Sequence, residues 1–280
     1  MVVGDFASTF ARTKSMGWPI PNIPQVLQRI GEQKAKWFAV LDLTSGYNQA
    51  PVGERSIPLT AFMCSEGLFE WTRLPMGLKG AGAYFQHYMS NTILRDLVQK
   101  ILEVYLDDII VYANSPKELN QRFEQVFKRL QLFGVTLNPD KVWIGMQEVE
   151  YVGRLIDKDG LSFSEEKKLH VLNFRRPETA SQMKSFLGLT SQFRKHVQNY
   201  GVLAASLHNM IPNYKKNSKV QLLCTEEITE SFITLQRSVS GCQKLFFIDD
   251  TFPIFLYTDA LNYDIGAYLF QEVNNVRHPI

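Results

Sequence analysis

An α+β fold is predicted from three observations: an apolar run, WFAVLDL (37–43), that reads as a buried strand; a hairpin of β-prone residues, LEVYLDDIIVYA (102–113); and a helical pattern on either side of that hairpin. The order strand, helix, hairpin, helix, strand is that of a split βαβ, ferredoxin-like sheet backed by helices. With 280 residues, 45% of them hydrophobic and 21% charged, the chain can bury a core and is long enough for about two domains.

The first section runs to about residue 160. GAYFQHYMSNTILRDLV (82–98) reads as one helix and SPKELNQRFEQVFKRLQLFG (115–134) as another. In the second, Ser115 is the N-cap, Glu118 holds the capping-box position, Leu119, Phe123, Val126, Phe127 and Leu130 form one apolar face, and Gly134 ends the helix. That spacing assigns the Phe residues to the core and not to a ligand box. GVTLNPDKVW turns at Asn138-Pro139, and VEYVGRLIDKDGLSF alternates as a hairpin about Lys158-Asp159-Gly160.

A second section, 161–245, is mostly helical: Thr179 with Gln182 makes a capping box for ASQMKSFLGLTSQFRKHVQNY, which Gly201 closes. The third, 246–280, opens with two strand-like runs, TFPIFLYTDA and DIGAYLFQ. There is no internal repeat and no low-complexity linker.

Composition excludes several classes. Cys64, Cys224 and Cys242 are odd in number and in no CxxC or metal-like spacing, which argues against a disulfide framework or a zinc site. A reducing compartment inside the cell follows, cytoplasm and nucleus not being distinguished. No apolar run approaches the roughly 20 residues of a membrane helix, and MVVGDFASTFARTK lacks the layout of a signal peptide, so no membrane partner is expected.

Charge is uneven. Lys167 to Lys219 holds seven Lys and three Arg against one acid, Glu178, a local +9 that leaves −7 for the rest of a chain whose net charge is +2. With Phe174, Phe186, Phe193, Tyr200 and Tyr214 interleaved, this block reads either as a track for a phosphate backbone or as a solvated helical surface.

Within the hairpin, Asp107 and Asp108 are adjacent. Two acids between β-prone runs suit first of all an ordinary turn; a site that aims oxygens at a hard cation such as Mg²⁺ is the sharper reading and needs a third carboxylate from elsewhere. Asp42, an acid inside the apolar strand AVLDL, is a third carboxylate that is costly to bury without a partner. If its strand lies beside the hairpin, three acids converge at one edge of the sheet.

VLDLTSGYNQ, LPMGLKGAGAYFQHYM, VYLDDIIVYANS, GVTLNPDKVWIG, VEYVGRLIDKDGL, FLGLTSQFRKHV and LYTDALNYDIGAYLFQ occur in the order and spacing of the polymerase region of gypsy-type LTR retrotransposons, which resembles retroviral reverse transcriptase. The resemblance covers essentially the whole chain. It implies an RNA-directed DNA polymerase with a right-hand palm and partial fingers over 1–160, a basic, helical thumb and connection over 161–245, and the first strands of an RNase H-like domain over 246–280.

The resemblance also implies roles. Asp42, Asp107 and Asp108 are the catalytic acids and hold Mg²⁺, with Mn²⁺ as a substitute. Asp42 and Asp107 bridge the ions and Asp108 has the lesser part. Tyr47 gates the nucleotide sugar, and Met76 and Gly77 in the glycine-rich loop lie nearest the nucleotide. Lys141 stands near the leaving pyrophosphate, and Tyr151, Val152 and Gly153 belong to the primer-gripping hairpin. The partners are a dNTP and an RNA or DNA template with its primer.

Some residues depart from the pattern. Only 41 residues precede Asp42, too few for the basic fingers hairpin, and Ala7 replaces an expected Arg. KGAGA stands for Asn-Ala-Pro at Gly80 to Gly82. Asp259 resembles the first RNase H carboxylate, but 21 residues follow it, so no RNA cleavage is expected. A decayed or reused remnant that binds nucleic acid without catalysis is the alternative.

Overall fold

The structure, a computed structural model, describes residues 17–211, 222, 225–261 and 264–280; side chains at 259–261, 264 and 265 are not described. Ala7, Tyr214, Lys215, Lys216, Lys219, Cys224 and the side chain of Asp259 therefore lie outside it. The chain forms two compact units, Met1–Val152 and Gly153–Ile280.

In the first unit, helix α1 (Ile23–Glu32) starts at Asn22, whose side chain accepts the N–H of Gln25. Strand β1 (Trp37–Asp42) is the centre of an antiparallel sheet with β4 (Leu102–Tyr105), β5 (Asp108–Ala113) and β6 (Trp143–Met146) in the order β4-β5-β1-β6, the order of a ferredoxin-like sheet. A separate hairpin, β2 (Phe62–Cys64) with β3 (Gly67–Phe69), leaves Met63 and Leu68 exposed.

Alternation sends Ala39, Leu41, Ile109, Val111, Leu102 and Val104 to one face of the sheet. There they meet Phe85 of α2 (Ala81–His87), Met89 and Ile93 of a π-helical turn (Tyr88–Ile93), and Leu119, Val126 and Leu130 of α3 (Pro116–Leu132). Phe38, Val40, Ile110 and Tyr112 on the other face are buried as well. A sheet covered on both faces explains why WFAVLD reads as an unbroken apolar run.

α1 packs against β4. Arg29 Nε and Nη2 donate to Glu103 Oε1 and Oε2, both at 2.8 Å, and the Glu103 side chain is 2% exposed. The bidentate fork satisfies a carboxylate that the sheet would otherwise reject.

The helix expected over 82–98 stops short. Leu94 N–H reaches back to Met89 O in a π turn, and Asp96 and Gln99 take positive φ, 72° and 66°. Ser90, Asn91 and Thr92 are weak helix formers, and the chain needs to reverse before β4. α3 follows expectation at its ends: Ser115 Oγ accepts the Glu118 N–H and Gly134 has φ 65°. Phe127, assigned to its apolar face, is 50% exposed. At 3.6 residues per turn it lies roughly 80° around from Leu119 while Phe123, Val126 and Leu130 lie within about 40°, so it falls off the buried stripe.

In the second unit, β8 (Arg154–Asp157), β9 (Gly160–Ser162) and β10 (Leu245–Phe246) pair antiparallel. Asp157 Oδ1 accepts the N–H groups of Asp159 and Gly160 and so closes the expected Lys158-Asp159-Gly160 turn. A Cβ on Gly160 would lie 2.0 Å from the Leu245 carbonyl oxygen, so that position excludes every side chain.

Helices α4 (Glu165–Leu172), α5 (Ala180–Ser191), α6 (Tyr200–Asn209) and α7 (Glu226–Ser240) enclose Val171, Met183, Phe186, Phe193, Leu207 and Leu235. The capping box of Thr179 and Gln182 is present, but the helix it starts ends at Ser191. Asn199 takes the left-handed conformation (φ 54°) and α6 begins at the next residue, which places Gly201 inside a first turn and not at a C-cap. Phe186, Phe193 and Tyr200 are buried, so these aromatics of the basic block are core and offer no stacking platform, while Arg175, Arg176, Lys184, Arg194 and Lys195 are exposed.

A second sheet joins β11 (Ile254–Leu261), β12 (Asp264–Val273) and β13 (Val276–Pro279), with Asp259 opposite Gly266. No helix among the described residues is long and apolar enough to cross a membrane.

Removing one partner of the Arg29–Glu103 fork strands a buried charge. Arg29→Met is expected to destabilise the fold by about 3–5 kcal/mol in urea unfolding, and Arg29→Met with Glu103→Leu to recover most of that loss.

His196 is 5% exposed, its Nδ1–H donates to the Gln243 carbonyl at 2.9 Å, and burial lowers its pKa from 6.5 to about 4. The folded state keeps this ring neutral while the unfolded chain protonates it, so its contribution is complete above pH 6.5 and is lost as pH falls toward about 4. Denaturant midpoints at the two ends of that window should differ less in His196→Asn than in the unsubstituted chain, by an amount worth about 3 kcal/mol.

Candidate active site

Asp42 ends β1 and lies directly opposite Asp108, the first residue of β5. The β4–β5 turn is Leu106-Asp107, so of the two acids assigned to the turn only Asp107 is in it, and Asp108 is a strand residue. Alternation along β1 and β5 puts Asp42 and Asp108 on the face shared by Val40 and Ile110. All three acids are half-buried.

The pKa of Asp108 is pushed up to about 6, first by burial and then by Asp107 and Asp42, with Lys141 opposing. Lys141, on the short 3₁₀ turn after Asn138, places its Nζ 3.3 Å from Asp42 Oδ2. Asn138 N–H donates to the Asp42 carbonyl, which ties that turn to the end of β1.

Tyr47 follows on the 3₁₀ turn Gly46–Gln49 and stacks on Phe85 with centroids 4.8 Å apart and planes 18° apart. Its hydroxyl is held protonated to higher pH by burial, by Asp107 and by Tyr105. Gly46 touches the same group: a Cβ there would lie 3.2 Å from both Asp107 Cβ and Phe85 Cζ. Asp42, Asp107, Asp108, Lys141 and Tyr47 are thus linked pairwise, by strand register, ion pair and electrostatic contact. Met76 (exposed) and Gly77 (φ 98°) lie on the loop leading to α2. Tyr151 is buried at the end of β7 (Glu148–Tyr151), and the two residues after it, Val152 and Gly153, have positive φ, 41° and 80°.

Two residues absent from the sequence reading matter here. Gln86, on α2 and 1% exposed, bonds the backbone of the acid-bearing hairpin. Gln49 Nε2 donates to the carbonyls of Thr44 and Thr136 while its Oε1 accepts the Thr136 N–H, which joins the segment after Asp42 to the one before Lys141. Both lie in motifs quoted above, but a carboxamide has no sequence signature for bonding a distant backbone.

An oxygen-only, partly desolvated donor set whose charges oppose one another fits a hard divalent cation in its chemistry. As they stand, the side chains are not gathered around one point: among the described residues no three His, Cys, Asp or Glu groups could hold an ion, and Lys141 neutralises Asp42.

Residues 6–156 match the family model described as reverse transcriptase (RNA-dependent DNA polymerase). The retrovirus-related Pol polyprotein of transposon opus from Drosophila melanogaster is 34% identical over 100% of this chain and 28% of its own length. That of transposon gypsy from the same organism is 30% identical over 97% of this chain and 27% of its own. The transposon Tf2-3 polyprotein of Schizosaccharomyces pombe is 28% identical over 91% and 18%.

Among solved structures, the foamy viral protease-reverse transcriptase dRH in complex with double-stranded DNA superposes with a TM-score of 0.85 at 23% identity, covering 99% of this chain and 47% of that one. The same viral enzyme with an RNA/DNA hybrid gives 0.79. The chain therefore spans about a quarter of the curated relatives opus and gypsy and has the α+β fold of these polymerases. By its family match over more than half its length, it belongs to the reverse transcriptase (RNA-dependent DNA polymerase) family.

Proposed function

We propose that the chain carries the polymerase centre of an RNA-directed DNA polymerase, which transfers a nucleotidyl group from a dNTP to a primer 3′-hydroxyl. The observation that carries this reading is the opposition of Asp42 and Asp108 across β1 and β5, with Asp107 on the adjoining turn and Lys141 at 3.3 Å from Asp42.

Asp42 and Asp107 would hold two Mg²⁺ ions, or Mn²⁺ in their place, and Asp108 would have a smaller share. When bound, such a pair supplies positive charge to the attacking and leaving oxygens of an in-line displacement. Lys141, 63% exposed at its side chain, would leave its ion pair with Asp42 and swing toward the departing pyrophosphate to give it charge or a proton. Tyr47, fixed by its stack on Phe85, presents a rigid ring to the nucleotide sugar and bars a 2′-hydroxyl. Met76 and Gly77 line the approach of the nucleotide, and the Tyr151–Gly153 turn supports the primer terminus.

The exposed Arg175, Arg176, Lys184, Arg194 and Lys195 hold the template and primer through phosphates, with strong salt dependence, and base pairing supplies the sequence information. The nucleic acids in the foamy viral complexes are consistent with such partners. On this reading 1–160 is palm with partial fingers, 161–245 thumb and connection, and 246–280 the start of an RNase H-like domain, with Asp259 as its first acid.

Primer extension on an RNA template, with Mg²⁺ and then Mn²⁺, tests this directly. Asp107→Asn should lower extension by on the order of a hundredfold or more while the thermal midpoint holds or rises, since it removes one of three mutually repelling acids. Full activity in that variant would sink the metal assignment. A folded, template-binding chain without any extension would favour the non-catalytic remnant.

Replacing Tyr47 with Val should raise ribonucleotide relative to deoxynucleotide incorporation; an unchanged ratio refutes the gate. Gly46→Ala should cost about 1–3 kcal/mol by crowding Asp107 and Phe85, read as a lowered urea midpoint at constant slope.

A further inference from the structure

The turn that carries Asp107 has an unsuitable residue at its first position. A two-residue hairpin loop calls for positive φ, which Asn or Gly takes at little cost. Here the position is Leu106, with φ 55°. A Leu held in the left-handed region is strained, and the surroundings must offset that strain.

The side chain bonded to this turn is Gln86. Its Oε1 accepts the Leu106 N–H at 2.7 Å, and its Nε2 donates to the Val104 carbonyl at 3.1 Å and to Ser90 Oγ at 2.8 Å. Donor and acceptor of one carboxamide thus engage the backbone on either side of Tyr105, as a neighbouring strand would. Both Nε2 hydrogens and the oxygen are used, and the residue is 1% exposed, so none of these bonds is replaced by solvent if lost.

We propose that Gln86 is a positioning residue for nucleotidyl transfer: it holds Leu106 in its strained conformation and thereby fixes where Asp107 and Asp108 stand relative to Asp42. It touches no substrate and acts only through the hairpin backbone. The kinetic part of the proposal rests on the polymerase reading above; the structural part does not.

The test compares the unsubstituted chain, Gln86→Met, and Gln86→Met with Leu106→Gly. Met keeps the length of the side chain and removes every bond, while Gly adopts positive φ without strain. Amide hydrogen exchange at Leu106 should accelerate about tenfold or more in both variants, because its acceptor is gone. In single-nucleotide primer extension, Gln86→Met should lower kcat about tenfold with dNTP KM and template-primer Kd within about twofold, the pattern of a misplaced reacting group. Adding Leu106→Gly should return kcat to within about threefold of the unsubstituted value.

Unchanged exchange at Leu106, an unchanged kcat, or a kcat loss matched by KM and Kd and not relieved by Leu106→Gly would each overturn the proposal. Should the unsubstituted chain prove unable to extend a primer, the polymerase reading fails on its own account. Exchange at Leu106 then decides whether Gln86 holds the turn.

Discussion

Two carboxylates facing each other across adjacent strands are the constraint to which the first unit answers. Asp42 and Asp108 occupy a directly opposed register position, where like charges destabilise a sheet, and Asp107 adds a third charge one residue away. Half-burial deepens the conflict, since a carboxyl poorly reached by water gains less from ionising. Lys141 on the Asn138 turn relieves part of it at Asp42. The remainder is borne by a core that leaves the strands little freedom to separate: Ala39, Leu41, Ile109 and Val111 are all fully buried beneath the acids.

That core needs both faces of the sheet covered, and the second face is the harder one. Glu103 lies in β4 between Leu102 and Val104, both buried, so a charged residue sits where the other strands place apolar ones. Arg29 meets it with two hydrogen bonds from α1. The pair adds little net stability compared with apolar residues of the same size, but it is sensitive to register: only one rotation of α1 brings a guanidinium fork to a carboxylate inside the sheet. With that helix fixed, the strand ends are the part of the sheet left for polar groups.

Much of this was legible in the sequence. β1, the hairpin and α3 follow from hydrophobic period and capping residues, because period 2 and period 3.6 are direct consequences of where side chains point. Asp42 stood out as an acid in an apolar run. Phe127 and Gly201 differ from the sequence pattern for physical reasons. A stripe about 100° wide leaves its edge positions undecided, and a glycine after an apolar helix resembles a cap even where Asn199 provides the left-handed residue. The break after His87 was hidden because apolar Met89, Ile93 and Leu94 continue a helical pattern through a π turn. α1 was missed although Asn22 and Pro24 mark its start.

Gln86 and Gln49 lay beyond sequence reasoning for a different cause. Each bonds backbone groups remote in sequence, Gln86 at a separation of 20 residues from Leu106 and Gln49 at 87 from Thr136. The choice of carboxamide at both places follows from the acids themselves. A bridge between two backbone segments needs a donor and an acceptor on one rigid group. A carboxylate supplies only acceptors and would add a fourth negative charge to a cluster already in conflict. An ammonium or guanidinium supplies only donors and would compete for the carboxylate oxygens. Glutamine carries both donor and acceptor on one planar group at the end of a long, uncharged side chain, and so the residues that position the acids leave their electrostatics for the acids to set.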